Sequence, residues 1–268
     1  MIGVTQLLSG PLRAAGIVES RLTFHLDPGN TDSYSGSGTT WTDMVTSTNG
    51  TIPATWTYNS SDGGTFSTGT AAGPNYGFNS TWLPATSGSY QDEITYEAWI
   101  SIDDVSTAYN GVISTAESTT DLGMSIVTNN GGRWSGMLQR NGQSSMSYMY
   151  ATWNGDGGTT SQAPDTNNKW YHVVLAANNS GHRYYVNNVE GAISWGQGNA
   201  SNANYFGIQD TSLSTNDQTL GVGRLYASST STSFSLKGKF GPVRIYQKML
   251  SADEVNQNYE VEKARFGY

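Results

Sequence analysis

Glu93 and Glu97 stand four residues apart in a segment that alternates apolar and polar positions, so both carboxylates can face one side of a strand. Paired carboxylates are what glycosidases use, one as acid and one as base or nucleophile. The plainer alternative is a pair of solvated or edge-facing carboxylates. The chain has three histidines, His25, His172 and His182. A metal site or triad needs several such groups held together. His25 and His172 each sit mid-strand among apolar residues, where packing or a backbone hydrogen bond is the better expectation. His182 falls in a turn and is expected to be exposed. No catalytic residue is assigned.

Asp27, Asn30, Asp32 and Asp43 surround one Gly/Ser-rich loop. Hard cations take oxygen ligands from carboxylates, amides and carbonyls, so these four are the candidate calcium ligands. Asp and Asn side chains also cap turns without any metal, and turn capping is the favoured reading of the two. No cofactor is required. Trp153, Asn154 and Asp156 form one loop group, and Trp195 and Gln197 another. Aromatic rings stack on apolar sugar faces while amides and carboxylates fix hydroxyls. These five are therefore the candidate glycan contacts. The alternative is that their rings serve the core or a subunit contact, where aromatics are enriched.

The elements that must carry these groups are mostly strands. Leu22, Phe24 and Leu26 alternate with Thr23 and His25, and Asp27-Pro28-Gly29-Asn30 ends that strand with turn residues. In the clearest central strand, Ile94 to Ile102, Ile94, Tyr96, Ala98, Ile100 and Ile102 share one face, with Thr95, Glu97 and Trp99 on the other. Further strands are expected at 111–114, 123–128, 134–140, 146–153, 170–176, 183–186, 189–193, 220–224 and 238–246. Asn129-Asn130-Gly131-Gly132, Asn141-Gly142 and Asn187-Asn188 supply residues that tolerate positive φ in tight turns. Only one helix is expected. Ser251 and Glu254 have capping-box spacing, and Leu250 and Val255 are placed for a hydrophobic staple. Closely spaced strands with repeated turn signals indicate an all-β sandwich or barrel. The chain divides into an N-terminal arm, residues 1–18, and one domain, residues 19–268, with no internal repeat.

Composition bounds the function. Charged residues make up 13% of the 268, about half of the roughly 25% that is usual, and Ser, Thr, Asn and Gly stand in their place. Hydroxyls and amides suit sugars and neighbouring subunits. A net charge of −8 with only 13 Lys and Arg argues against binding a phosphate backbone. No apolar run approaches the roughly 18 residues of a membrane span. The absence of cysteine excludes disulfides and thiolate metal sites and fits synthesis in a reducing cytosol. The first 16 residues lack the basic start and apolar core of a signal peptide, so no cleaved leader is expected.

Three segments in order resemble one family. Thr95-Tyr96-Glu97-Ala98-Trp99-Ile100 is similar to its "Thr-x-Glu-Ala-Trp-Val" strand. Trp170-Tyr171-His172-Val173-Val174 and Tyr185-Val186-Asn187-Asn188 resemble its "Trp-x-His-Val" strand and "Tyr-Val-Asn-Gly" turn. Gly238 to Ser251 resembles its final strand and helix start. The family is that of the laminin G-like, concanavalin A-like lectin jelly rolls. The resemblance implies an all-β, two-sheet antiparallel jelly-roll sandwich with a short C-terminal helix. Two departures stand out: Asn188 replaces the turn glycine, and Gly241-Pro242 replaces an acidic residue often found before "Val-Arg-Ile-Tyr". Related glucanases place an Asp between two glutamates, and here Ile94, Thr95 and Tyr96 intervene between Glu93 and Glu97.

Leu22 to Asp43, with its "Leu-Asp-x-Gly-Asn-x-x-Ser-Tyr-x-Gly-x-Gly-Thr-x-Trp-x-Asp" run, further resembles the variant of this domain found in virion proteins of tailed phages. That resemblance implies a non-enzymatic virion surface protein, a capsid decoration or tail fibre appendage, made in the host cytoplasm. Its expected partners are other virion subunits through the arm, surface glycans, and further copies of itself as a homo-oligomer. Nucleic acid and membrane are not expected partners. The alternatives are a free bacterial carbohydrate-binding module or adhesin at the cell surface, and a polysaccharide hydrolase or lyase on the same fold.

Overall fold

A computed structural model gives the structure of the chain. It describes residues 16–61, 63–69, 72–76, 93–104, 109–115, 123–129, 133–139, 147–152, 164, 168–178, 181–197, 219–225 and 234–268. In chain order the strands are β1 (Leu22–Leu26), β2 (Thr40–Thr42), β3 (Asn49–Thr51), β4 (Thr57–Asn59), β5 (Thr65–Ser67), β6 (Asn75–Tyr76), β7 (Glu93–Ile102) and β8 (Tyr109–Ser114). They continue with β9 (Gly123–Asn129), β10 (Arg133–Gln139), β11 (Ser147–Thr152), β12 (Trp170–Asn178), β13 (Gly181–Val186), β14 (Val189–Gln197), β15 (Leu220–Val222) and β16 (Gly238–Tyr246). Helix α1 spans Ala252–Glu262 and runs into a 3-10 turn over Lys263–Phe266.

The ladders between the named strands are antiparallel; β2 and β3 pair with each other as a separate two-stranded sheet, and the rest form two packed layers. The first sheet runs β4-β5-β16-β7-β12-β13, with β1 also on β16; the second runs β14-β11-β10-β9-β8-β15-β6. One strand turns the corner between them. Val189 to Gly191 of β14 pair with β13, and Ala192 to Gln197 pair with β11. Phe24, Trp41, Tyr96, Ile100, Trp134, Tyr171, Val173 and Phe240 belong to the one large cluster between the layers. This is the two-sheet sandwich with one C-terminal helix expected from the sequence.

The strand β7 shows why the sequence folds this way. Ile94, Tyr96, Ala98, Ile100 and Ile102 all enter the inter-sheet core, as the period of two requires. The opposite residues Thr95, Glu97 and Trp99 are also 0% exposed, because α1 and the 3-10 turn lie across that face. The helix starts where expected. Ser251 Oγ accepts from Glu254 N at 3.3 Å, and the Glu254 carboxylate accepts from Ser251 N at 3.0 Å. Leu250 and Val255 meet in one buried cluster with Val18, Val174, Tyr185 and Tyr246.

Two local features reflect particular residues. Asn187 and Asn188 take φ of 50° and 63° between β13 and β14, so the asparagine at the family's glycine position adopts the left-handed backbone itself. Gly241-Pro242 forms the bulge where the β16–β7 register skips from Phe240 to Val243. On its other edge β16 changes partner at the same place, from β5 at Lys239 and Phe240 to β1 at Val243 to Tyr246. Proline carries no N–H for a ladder, so it suits such a break.

Candidate functional site

The three motifs that carry the family resemblance converge on the outer face of the first sheet. Register sets His25, Arg244 and Glu97 side by side across β1, β16 and β7. Arg244 Nη1 donates to Glu97 Oε1 at 2.9 Å, and His172 Nε2 lies 3.0 Å from the same oxygen. A carboxylate only accepts, so Nε2 carries the proton. Asn258 Nδ2 on α1 donates to Glu97 Oε2 at 2.7 Å and to the Tyr246 hydroxyl at 3.0 Å. Glu262 on α1 takes both terminal nitrogens of Arg244 in a fork. Arg244 Nε donates to His25 Nε2 at 3.1 Å. Val18 N donates to Asn258 Oδ1 at 2.7 Å, which ties the start of the chain to the same cluster.

The electrostatics hold the charges in place. Burial alone would raise the Glu97 pKa, but the Arg244 charge and the bonds from His172 and Asn258 bring it down to about 2. Burial pulls Arg244 down, and Glu262 and Glu97 more than offset this, so its pKa lies above the usual arginine value. Burial, aided by the Arg244 charge, lowers His25 to about 2, so its imidazole is neutral and accepts. Glu97 and His172 are 0% exposed and Arg244 is 1% exposed. The expectation that Glu93 and Glu97 are both solvated or edge-facing is therefore half wrong. Glu93 is exposed and accepts from Met249 N at 3.1 Å, whereas Glu97 is the centre of a sealed ion-pair network. The helix that seals it lies 161 residues away in the chain, beyond the reach of local pattern.

An aromatic layer finishes the seal. Trp99 stacks on Phe266 at 4.4 Å and on Tyr259 at 5.7 Å, and His172 lies 5.0 Å from it. The bulge makes room for this: a Cβ at Gly241 would sit 2.6 Å from Phe266 Cζ and 3.1 Å from Trp99 Cβ. The family's acidic residue is thus replaced by a glycine that seats Phe266.

Three of the four candidate calcium ligands are engaged by the chain's own donors. Asp43 is 0% exposed and accepts from His25 N at 2.7 Å, Val45 N at 3.1 Å, Thr46 N at 3.0 Å and the Thr46 hydroxyl. Asp27 takes Gly29 N at 2.8 Å and a two-pronged contact from Arg265 at 2.9 and 3.1 Å. Asn30 Oδ1 accepts from Asp32 N at 2.9 Å. The oxygens of Asp27, Asn30 and Asp43 serve the chain's own donors. Among the described residues no group of three or more His, Cys, Asp and Glu is arranged to hold a metal ion.

Of the five candidate glycan contacts, Trp195 and Gln197 fall among the described residues. Trp153, Asn154 and Asp156 lie outside the described residues. Trp195 on β14 is half-buried against the inter-sheet core, with its ring edge-on to His182 at 5.7 Å. Gln197 ends β14 opposite Tyr148 in register. His182 is not an exposed turn residue. It is the second residue of β13, half-buried, and burial lowers its pKa to about 4.

Sequence reasoning passed over the outer face of the second sheet. Trp134 and Met149 point into the core, so Arg133, Ser135 and Tyr150 face outward. Ser135 pairs in register with Tyr150, and Tyr150 with the exposed Ser194. The Arg133 guanidinium lies over the Tyr150 ring at 5.5 Å. Alternation around Trp134 placed Arg133 and Ser135 on one face, but only the pairing of β10, β11 and β14 gathers all four residues.

Comparison with known proteins places the fold. The laminin G-type model described as concanavalin A-like lectin/glucanases superfamily matches residues 75–256. No curated protein sequence matches the chain. Trypanosoma rangeli sialidase in complex with sialic acid superposes with a TM-score of 0.59 at 15% identity, over 95% of this chain and 35% of that one. The botulinum neurotoxin serotype G binding domain gives a TM-score of 0.60 at 12% identity, over 91% of this chain and 51% of that one. The chain thus spans between a third and about half of the length of these two structures. At such identities the likeness is one of fold.

Proposed function

This chain belongs to the concanavalin A-like lectin/glucanases superfamily, and from that premise we propose that it is a non-enzymatic recognition protein that contacts glycans through exposed sheet surface. More narrowly, we propose a virion surface protein of a tailed phage, a capsid decoration or tail appendage, held to neighbouring subunits by residues 1–18. One observation carries the recognition reading. Among the described residues, Glu97, Arg244, Glu262 and His172 converge only in a sealed cluster bonded to itself, while the exposed Ser194 hydroxyl and the half-buried Tyr150 ring lie on the outer face of the opposite sheet. A substrate has no path to Glu97 and His172 while α1 is in place, and acid–base catalysis needs contact with the reacting atoms. Fold alone does not supply a function, so the site has to.

The virion reading is supported by the phage-like segment from Leu22 to Asp43, the lack of cysteine and the low charge. The root of the arm adds an orientation: Gly16 O accepts from Gln257 on α1 at 2.7 Å, and Val18 packs beneath the helix. An arm leaving from that side would turn the second sheet outward. The second reading is a carbohydrate-binding module or adhesin, which the lectin-type fold supports equally.

A glycan array probed with the purified protein tests recognition, and mass spectrometry of purified virions separates the two settings. Binding to at least one glycan class is expected, together with presence in the particle. Turnover of a polysaccharide that is lost in Glu97→Gln, with the fold intact, would overturn the non-enzymatic reading. A deletion of residues 1–18 that still enters particles would overturn the anchoring role.

A further inference from the structure

The geometry points to a narrower ligand class, on the premise of the glycan recognition proposed above: a sugar bearing a carboxylate, held at Arg133, Tyr150 and Ser194 on the outer face of the second sheet, beside the buried hydroxyl of Ser135. Ser135 lies at the centre of this group. It pairs in register with Tyr150 on one side and Val127 on the other, with Arg133 two residues along β10 on the same face. Val127 and Met137 are closed off beneath Leu225, whereas Ser194, the register partner of Tyr150, is exposed. The group therefore sits where the covered part of the sheet meets the open part.

Three properties suit an acidic sugar. First, Arg133 is half-buried and no carboxylate pairs with it among the described residues, in contrast to Arg183, Arg244 and Arg265. The Tyr150 ring positions the guanidinium without neutralising it and leaves the edge donors able to meet a planar carboxylate in two parallel bonds. Second, Ser135 Oγ is buried and has no hydrogen-bond partner among the described residues, so a polar group beside the arginine lacks a companion. Third, Tyr150 offers an aromatic ring and Ser194 an exposed hydroxyl one strand further on, which matches the mixed apolar and polar surface of a pyranose. The net charge of −8 repels polyanions at long range. Recognition of negative charge therefore rests on this one local cation, and fits a single acidic residue within a glycan better than a uniformly charged polymer.

The test uses the full chain on a panel of sialylated, uronic acid-bearing and neutral glycans, with Arg133→Gln, Tyr150→Ala and Arg183→Gln as variants. The wild type is expected to favour one acidic arm, which identifies the acid. Arg133→Gln should lose roughly tenfold or more in affinity for it with the thermal melt preserved, and added salt should weaken wild-type binding. Tyr150→Ala should weaken binding too. Arg183→Gln, which removes the same charge from an exposed ion pair, should bind as the wild type does. Equal binding of neutral and acidic glycans, with Arg133→Gln unaffected, would overturn the acidic-sugar assignment and leave glycan recognition standing. An equal loss in Arg183→Gln would overturn the assignment in favour of general charge. Binding to no glycan would overturn both.

Discussion

Arg244 and Arg133 occupy the outer faces of the two sheets, and their surroundings are opposite. Arg244 is 1% exposed, gripped by Glu97 and Glu262, and roofed by a helix. Arg133 is half-buried, rests on one tyrosine ring and meets no carboxylate among the described residues. The same residue type is a brace in one layer and, among the described residues, a cation without a carboxylate partner in the other. The difference comes from what covers each face. A polar group enclosed by the chain must find its partners within the chain, whereas one at the surface can be left for another molecule. In this fold the family motifs mark the enclosed face, so they report how the sandwich closes.

The largest effect should come from breaking the brace. Arg244→Met strands two buried carboxylates, and Glu97→Gln removes the central charge; loss of one partner of a buried pair costs about 3–5 kcal/mol. Chemical denaturation checks this, and a loss near zero for Arg244→Met would mean that the network is incidental to stability. The pH dependence gives a second reading of the same site. Glu97 has a folded pKa of about 2 against 4.5, so its contribution is complete above 4.5 and is lost as pH falls toward 2. His25 is also depressed, to about 2 from 6.5, so the folded state binds fewer protons and stability declines as pH falls below 6.5. The wild type should therefore lose stability gradually below pH 6.5 and more steeply below 4.5. Glu97→Gln should lack much of the steeper part, and an unchanged profile would remove Glu97 from the account.

A smaller effect is expected at the bulge. Gly241→Ala places a methyl 2.6 Å from the Phe266 ring, with Trp99 behind it. Overpacking of this kind costs about 1–3 kcal/mol. Tryptophan fluorescence should also change if Phe266 is pushed off Trp99. A variant with wild-type stability and spectrum would show that the C-terminal turn is not seated by this glycine.

What the chain's pattern reveals follows the range of the interactions. The faces of β7 are legible because alternation is local: Ile94 to Ile102 goes inward at every second residue. The capping box at Ser251 and the Asn187-Asn188 turn are legible because each is closed within a few residues. The short strands β2 to β5 are not, since three residues carry no period. The enclosure of Glu97 is not legible either, because alternation assigns a face but says nothing of a helix laid over it by residues far along the chain. The Arg133–Tyr150 surface fails for a related reason. It exists only through the pairing of β10 with β11 and of β11 with β14, and that register is set by the whole sandwich.

Arg133→Gln should change stability little, by about 1 kcal/mol, because a half-buried cation–π contact that keeps access to water is worth about the 0.5–1 kcal/mol of an exposed one. Set beside Arg244→Met, this measures the contrast between the faces directly. If the two substitutions cost the same, Arg133 has a structural partner and the second sheet is as closed as the first.

The smallest effect, close to none, is expected from chelation. The group of Asp27, Asn30, Asp32 and Asp43 behaves like the enclosed face in miniature: Asp43 is satisfied by three backbone N–H groups and a hydroxyl, and Asp27 by Arg265 and a turn. A calcium ion needs about six to eight oxygen ligands, and it would have to draw these carboxylates away from donors that would then be left unbonded. EDTA should therefore leave the melting temperature within about 1 °C of its starting value, since each kcal/mol moves a domain of this size by only about 2–4 °C. A fall of several degrees, restored by calcium and absent in Asp43→Asn, would assign the group to the metal and make turn capping the secondary role of these side chains.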